Sequence, residues 1–396
     1  MISVEEAEAR IVATLHPTNA ETVSIADAAG RVLAADAIAK YDQPPAPVSS
    51  MDGYALRAAD AANVPLTLRV IGSSPAGHPF SGTVQTGEAV RIFTGGVVPD
   101  GADSIVIQEN TELSGDSVTL KSAAKPGQHI RKAGLDFAKG DILSPAGRKL
   151  TARDVSLLAA GDVVRVSVRR RPIIAFAATG DELSKPGEPR KQGGIVASSG
   201  YGLAAMIESW GGTARDLGIV PDTVVAVSKI ADLARDADLI VTLGGASVGD
   251  HDLVQEALGP KGFALDFWKI AMRPGKPLIF GKLGGTPLLG LPGNPVSSLV
   301  CALLFVKPGI AAMLGTVAKT ELLSAKLLRE LPANDQRQDY LRARTEIRDG
   351  ELYVEASRIQ DSSMLGILAK SDALIVRAPH APAAMAGDRV QILSLE

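Results

Sequence analysis

The chain has 396 residues, more than the roughly 250–300 at which a single hydrophobic core stops growing, so two to four domains are expected. Its 41 Lys and Arg against 44 Asp and Glu give a formal net charge of −3, which excludes the cationic field that draws proteins onto nucleic acid or anionic lipid. With 46% hydrophobic and 21% charged residues it lies well inside the range of folded globular chains. Cys301 is the only cysteine, so no internal disulfide or Cys-based zinc centre can form, and the five histidines stand at no metal-ligand spacing. Met1 to Arg10 lacks the basic-then-apolar order of a signal peptide. The apolar run Leu299 to Val306 stops at Lys307-Pro308, far short of the roughly 18 residues needed to cross a bilayer. A cytoplasmic protein with neither a membrane nor a nucleic-acid partner is expected.

Val4, Ala7, Ile11, Val12 and Leu15 recur at helical spacing behind Ser3, with Glu6 three positions on, so a capped helix opens the chain. From Gln43 the texture changes to the Pro-rich stretch Pro44 to Tyr54, then to short alternating runs such as Leu66 to Ile71 and Ser104 to Gln108, which predict a mostly β segment over 41–136. Thr151 to Ala160 is helical again. A helical region built from 1–40 and 137–171 around a β-rich insert follows.

Beyond Arg169-Arg170-Arg171-Pro172, the apolar run Ile173 to Thr179 predicts a buried strand. A helix at 201–210, a strand at 214–220, a helix at 222–235, a strand at 237–243, a strand at 287–291 and a helix at 296–305 continue the alternation. Such alternation specifies a doubly wound α/β/α domain, 172–316, with a mostly parallel sheet. Strands at 340–347, 352–356, 374–376 and 390–393 then predict a separate β domain over 317–396. The fold class is therefore multidomain, α/β plus β.

Ligands in open α/β sheets lie outside the carboxyl ends of the strands, which singles out three loops. They are Thr179-Gly180-Asp181-Glu182; Gly244-Gly245-Ala246-Ser247-Val248-Gly249-Asp250-His251-Asp252; and Pro292-Gly293-Asn294-Pro295-Val296-Ser297. Glycine lets backbone N–H groups approach a phosphate, and Asn294 as N-cap with Pro295 at the first helical position leaves donors and a positive dipole end for an anion. Each loop alone could be no more than a tight turn. None of them carries a Walker P-loop or a dinucleotide fingerprint. Asp181, Glu182, Asp250 and Asp252 offer hard oxygen ligands suited to Mg²⁺ held together with a phosphate. Asp222, ahead of an apolar-periodic run, also reads as an ordinary N-cap, and Asp52 before Gly53 as a turn former. In Lys269 to Pro277 two prolines and a glycine dictate an extended turn that gathers Lys269, Arg273 and Lys276 toward one oxyanion. Ser247, Ser297 and Ser298 lack a base partner, which leaves a serine hydrolase without support.

Seven segments in order then resemble one family, the molybdopterin molybdenumtransferases. They are Pro44-Pro45 with Ser50 to Ala55; Arg91 to Gly95 with Gly101-Ala102-Asp103; Arg131 to Gly134 with Asp136; Thr179 to Leu183; Gly244-Gly245 with Ser247-Val248-Gly249 and Asp252; Lys269 to Pro277; and Gly290 to Ser297. The resemblance implies an elongated homodimer with a site shared between subunits, and a molybdopterin-binding-like α/β domain followed by a β-barrel-like C-terminal domain. It implies Mg²⁺-dependent insertion of molybdate into adenylylated molybdopterin with release of AMP. A molybdopterin adenylyltransferase is then the expected substrate donor.

Carried over by position, the resemblance implies catalytic roles for Asp52, Thr94, Arg131, Asp136, Glu182, Asp222 and Asp252, with Asp52, Asp136, Glu182 and Asp252 on the metal. It implies substrate contacts from Gly244, Gly245, Ser247, Lys269, Arg273, Lys276, Pro292, Asn294, Pro295, Ser297 and Arg342, with Ser362 or Ser363 beside molybdate. Two places depart from the family pattern. Ala197-Ser198-Ser199 stands where an Asn is usual, and Gln360-Asp361-Ser362-Ser363 brings an extra negative charge to the proposed oxyanion site. A diverged paralogue that binds molybdopterin as a scaffold is the competing reading.

Overall fold

The computed structural model describes residues 1–244, 250–317 and 321–395, and the side chains of these except 250–252. It divides into two compact units, Thr22–Val168 and a second formed by Met1–Glu21 with Arg169–Glu396.

In the first unit, six strands form one sheet in the order Ser104–Ile107, Gly53–Leu56, Glu88–Ile92, Leu66–Ser74, Ser117–Leu120 and Thr111–Ser114. Leu66–Ser74 and Glu88–Ile92 run parallel, and the other neighbours are antiparallel. The alternating runs bury Tyr54, Leu56, Leu68, Val106, Val118 and Leu120 on one face, as a period-2 pattern requires. A smaller core of Leu33, Leu150, Leu158, Val166 and Val168 surrounds the helix Ala152–Ala160. Thr151 and Asp154 close a reciprocal capping box at its start.

The second unit holds a six-stranded sheet in the order Thr213–Val220, Ile173–Thr179, Leu239–Leu243, Thr286–Leu291, Ile279–Leu283 and Phe263–Trp268. Its first four strands are parallel, but the last three neighbours run antiparallel. The sheet is thus mostly parallel, as the alternation predicts, with an antiparallel pair of strands at one edge. Gly284 and Gly285, both with positive φ, make a two-residue turn between Ile279–Leu283 and Thr286–Leu291, and such a turn only antiparallel neighbours can use.

The final helix of this domain does correct an expectation. It starts at Pro295 and continues to Met313, past Lys307-Pro308, through a widened π segment at Ala302–Val306. Proline lacks the N–H that an α-turn would use and crowds the carbonyl four residues back, and a widened turn relieves both. By length and composition this helix could cross a membrane, yet 78% of its apolar window is buried inside the protein, as befits a core helix. The opening helix, Val4–Ala13, is capped by Ser3 accepting from the Glu6 N–H and packs against Lys307–Met313.

Leu322–Leu327, Gln338–Arg348, Glu351–Ala356, Ala373–Arg377 and Arg389–Ser394 form a closed five-stranded barrel, since Gln338–Arg348 pairs with both Glu351–Ala356 and Ala373–Arg377. The short strand Met272–Arg273 of the α/β domain adds to it in parallel beside Gln338 and Asp339.

Candidate active site

A cavity of about 1010 Å³ opens at the carboxyl ends of the parallel strands. Thr179, Leu243 and Pro292, each at or just past the end of a different strand, line its floor. Gly244 is indispensable there. Its φ is +101°, and a Cβ would lie 2.7 Å from the Thr179 carbonyl oxygen, so only glycine lets this loop cross the strand end so closely.

The structure brings Glu182, Asp222, Gly244, Arg273, Lys276, Pro292, Asn294, Pro295 and Ser297 into this one cavity. Ser199, Arg337, Gln360, Asp361, Ser362 and Ser363 line it as well. Of these, Arg337 had no sequence signal beyond standing in the charged stretch Asp335 to Asp339, and only the barrel's docking makes it a wall residue. Gly245 and Ser247 lie outside the described residues, as does the Asp252 side chain.

Asp222 is not a helix cap. Thr223 takes that place, its hydroxyl accepting from the Ala226 N–H 3.2 Å away, so Asp222 stands one residue outside the helix and reaches the cavity instead. Asn294 holds the N-cap position of the long helix without a side-chain cap bond. Its amide donates to Ser362 Oγ at 2.9 Å, and the Val296 N–H donates to the Ser362 carbonyl at 3.1 Å. A barrel loop thus occupies part of the donor set that the sequence had reserved for an anion. Ser298 is buried and spent on local backbone, donating to Pro292 O at 2.6 Å.

The basic turn divides. Arg273 and Lys276 face the cavity, whereas Lys269 does not line it: its Nζ sits 3.5 Å from the centroid of the Trp268 ring, a cation–π contact. Arg273 forms an ion pair with the buried Asp339 and a longer one, 3.5 Å, with Asp335. Asp335 is held down at about 2, chiefly by the side-chain hydrogen bond from Arg337, whose Nη2 lies 2.8 Å away. Arg342 is also absent from the wall. It is fully buried within the barrel, donates through Nη2 to the Asp361 carbonyl at 2.9 Å, and burial lowers its pKa from the usual guanidinium value. Asp361 does line the cavity. Its Oδ1 accepts from the Ser363 hydroxyl and N–H, which keep it ionised to lower pH than usual, so the extra negative charge is present.

In the other unit, Asp52 Oδ1 accepts from both the Thr94 N–H and the Thr94 hydroxyl, each at 2.8 Å. The backbone bond is the largest cause of a lowered Asp52 pKa. Arg131 is exposed beside Val48, its pair across a short antiparallel ladder, and exposed Asp136 lines a pocket of about 620 Å³.

The comparisons with known proteins agree with this architecture. The MoeA N-terminal region (domain I and II) matches residues 2–161, the probable molybdopterin binding domain matches 175–312, and the MoeA C-terminal region (domain IV) matches 324–395. A molybdopterin molybdenumtransferase from Haemophilus influenzae is 35% identical over 99% of this chain and 98% of its own. The chain belongs to the molybdopterin molybdenumtransferase family. Another family member, from Nostoc, is 36% identical over 90% of this chain and 84% of its own. The crystal structure of a molybdopterin biosynthesis MoeA protein from Pyrococcus horikoshii superposes with a TM-score of 0.86 at 27% identity, covering all of both chains.

Among the described residues no three or more His, Cys, Asp or Glu side chains gather as a metal cage. The cavity nonetheless offers two carboxylates, Glu182 and Asp222, and Mg²⁺ is commonly held by one or two carboxylates together with substrate phosphates. The donor set fits that mode of binding.

Proposed function

We propose that the chain inserts molybdate into adenylylated molybdopterin, releasing AMP, and that the cavity at the sheet's carboxyl edge is where it does so. The observation that carries this reading is the pairing in one cavity of two carboxylates, Glu182 and Asp222, with two cations, Arg273 and Lys276. Glu182 and Asp222 would hold Mg²⁺. When bound, that ion would neutralise charge on the phosphate oxygens and so favour attack by water at phosphorus. Lys276 and Arg273 bind the dianionic molybdate, the first as a compact point charge and the second as a planar fork of donors. Ser297 and the barrel-loop Ser362 add neutral hydroxyls, so the oxyanion is held by donors on more than one side. Asp52, fixed by Thr94 in the other unit, belongs to the same reaction, as do Arg131 and Asp136.

The chain works as a homodimer in the cytoplasm and receives its pterin from a molybdopterin adenylyltransferase. The four-domain division (1–40 with 137–171; 41–136; 172–316; 317–396) belongs to the same reading. Sedimentation tests the assembly: a monomer at micromolar concentration rejects the dimer. Incubating the purified protein with adenylylated molybdopterin, Mg²⁺ and molybdate tests the reaction. AMP release that depends on the protein supports it, and release no faster than in the protein-free control leaves the scaffold reading in its place.

A further inference from the structure

Arg273 is held from outside its own domain both along its backbone and at its head group. Met272 and Arg273 run parallel to Gln338 and Asp339 of the first long barrel strand, with Arg273 and Asp339 as register partners. The Gln338 N–H donates to the Ala271 carbonyl at 2.9 Å. On the other flank Ile2 bridges Ile270, and the Ala271 N–H donates to the Ile2 carbonyl at 2.8 Å. The basic turn is therefore clamped along both edges.

The side chains repeat the pattern. Asp339 is 3% exposed and gives one oxygen to Arg273, while its Oδ1 is buried without a hydrogen-bond partner among the described residues. A buried carboxylate that leaves one oxygen unpaired is costly, and a well-packed neutral residue would avoid that cost. The Arg273 side chain, by contrast, is 48% exposed on the cavity side, and its contacts to Asp335 and Asn334 are long, 3.5 Å each. One end of the pair is anchored in the barrel and the other faces the ligand.

From this geometry we propose that Asp339 is a positioning residue, which holds the Arg273 guanidinium in a single orientation toward the oxyanion and makes the barrel part of the cavity's cation site. The role rests on the oxyanion reading of the cavity. Asp339 does not touch the ligand; it removes the freedom that a long side chain would otherwise lose on binding.

Two measurements test it, one of them free of substrate. Phenylglyoxal labelling of the full-length protein, read by peptide mass spectrometry, reports how free each guanidinium is. Arg273 should label more slowly, relative to the 77% exposed Arg235, than their exposures alone dictate, and Asp339→Asn should speed Arg273 about ten- to a hundredfold, the factor for losing one charge-assisted hydrogen bond. Labelling of the unaltered protein in proportion to exposure overturns the clamp even where the Asn variant fails to fold. Calorimetric titration with molybdate alone supplies the second measurement. Asp339→Asn should raise the midpoint tenfold or more, Asp339→Glu should recover part of the loss, and in an Arg273→Ala background Asp339→Asn should change nothing further. An equal loss in both backgrounds would mean that Asp339 serves only stability. A midpoint unmoved by Arg273→Ala alone would overturn the oxyanion reading and this role with it, the clamp itself still being judged by the labelling.

Discussion

Gly275 sits in the middle of the basic turn at φ +109°, and a Cβ placed on it would lie 2.4 Å from Cys301 Sγ and 3.1 Å from Met272 Cε. Gly275→Ala therefore incurs two separate costs. Holding an alanine in that backbone region costs about 1–3 kcal/mol. Forcing a methyl against a fully buried thiol costs a further ~1–3 kcal/mol, because the Cys301 sulfur sits on a packed helix and has nowhere to move. Met272 is flexible and yields more cheaply. The expected loss is about 2–6 kcal/mol, measured as the shift of the denaturation midpoint at constant slope. Cys301→Ala removes the atom that the new methyl meets, so the double variant should recover about 1–3 kcal/mol of coupling while the backbone strain remains. The turn carries Arg273 and Lys276, so the molybdate midpoint should rise in the single variant and fall back part-way in the double. A loss below about 0.5 kcal/mol, the range of ordinary surface changes, or strict additivity of the two substitutions would refute the packing argument.

Lys276→Ala should raise the molybdate concentration for half-maximal AMP release by on the order of 10²–10³, the usual effect of deleting one preorganised donor; an unmoved value assigns Lys276 to the pterin phosphate. Thr94→Val takes the hydroxyl from Asp52, whose folded pKa is lowered. That stabilisation is present above the unfolded carboxylate pKa and lost as pH falls through the folded value, so the variant should move the acid limb of the activity profile to higher pH. Ser298→Ala strips the Pro292 carbonyl of its buried donor and should cost about 1–3 kcal/mol in chemical denaturation. Ser199→Asn, on the cavity wall at the start of the helix Ser199–Trp210, should preserve or raise activity, and a large loss would mean the loop has packed around the hydroxyl.

Much of the architecture was legible in the chain because it is governed by local rules. The run Ile173 to Thr179 is apolar on both faces and seven residues long, which suits a central strand, and the observed strand has those bounds. Ser3 with Glu6 and Thr151 with Asp154 mark helix starts through bonds that span three residues. Two strands of the same sheet, Ile279–Leu283 and Phe263–Trp268, are absent from the sequence reading even though Gly284-Gly285 marks the hairpin to Thr286–Leu291 and Phe263, Leu265 and Phe267 alternate with Ala264 and Asp266.

The candidate site divides along the same line. Loops at strand ends follow from the α/β alternation, which is why the chain alone points to Glu182, Gly244, Asn294 and Ser297. Which cation of the basic turn faces the cavity could not be read from spacing. Lys269 has a left-handed backbone at φ 70° and rests on Trp268, Arg273 is fixed by an aspartate 66 residues away, and Arg342 is sealed inside the barrel. A side chain's direction depends on the surface that packs against it, and here that surface comes from distant segments: the barrel strand Gln338–Arg348 and the chain's first residues. The sequence determined which chemical groups the site would contain. Only the packing of the barrel onto the α/β domain decided which of them meet.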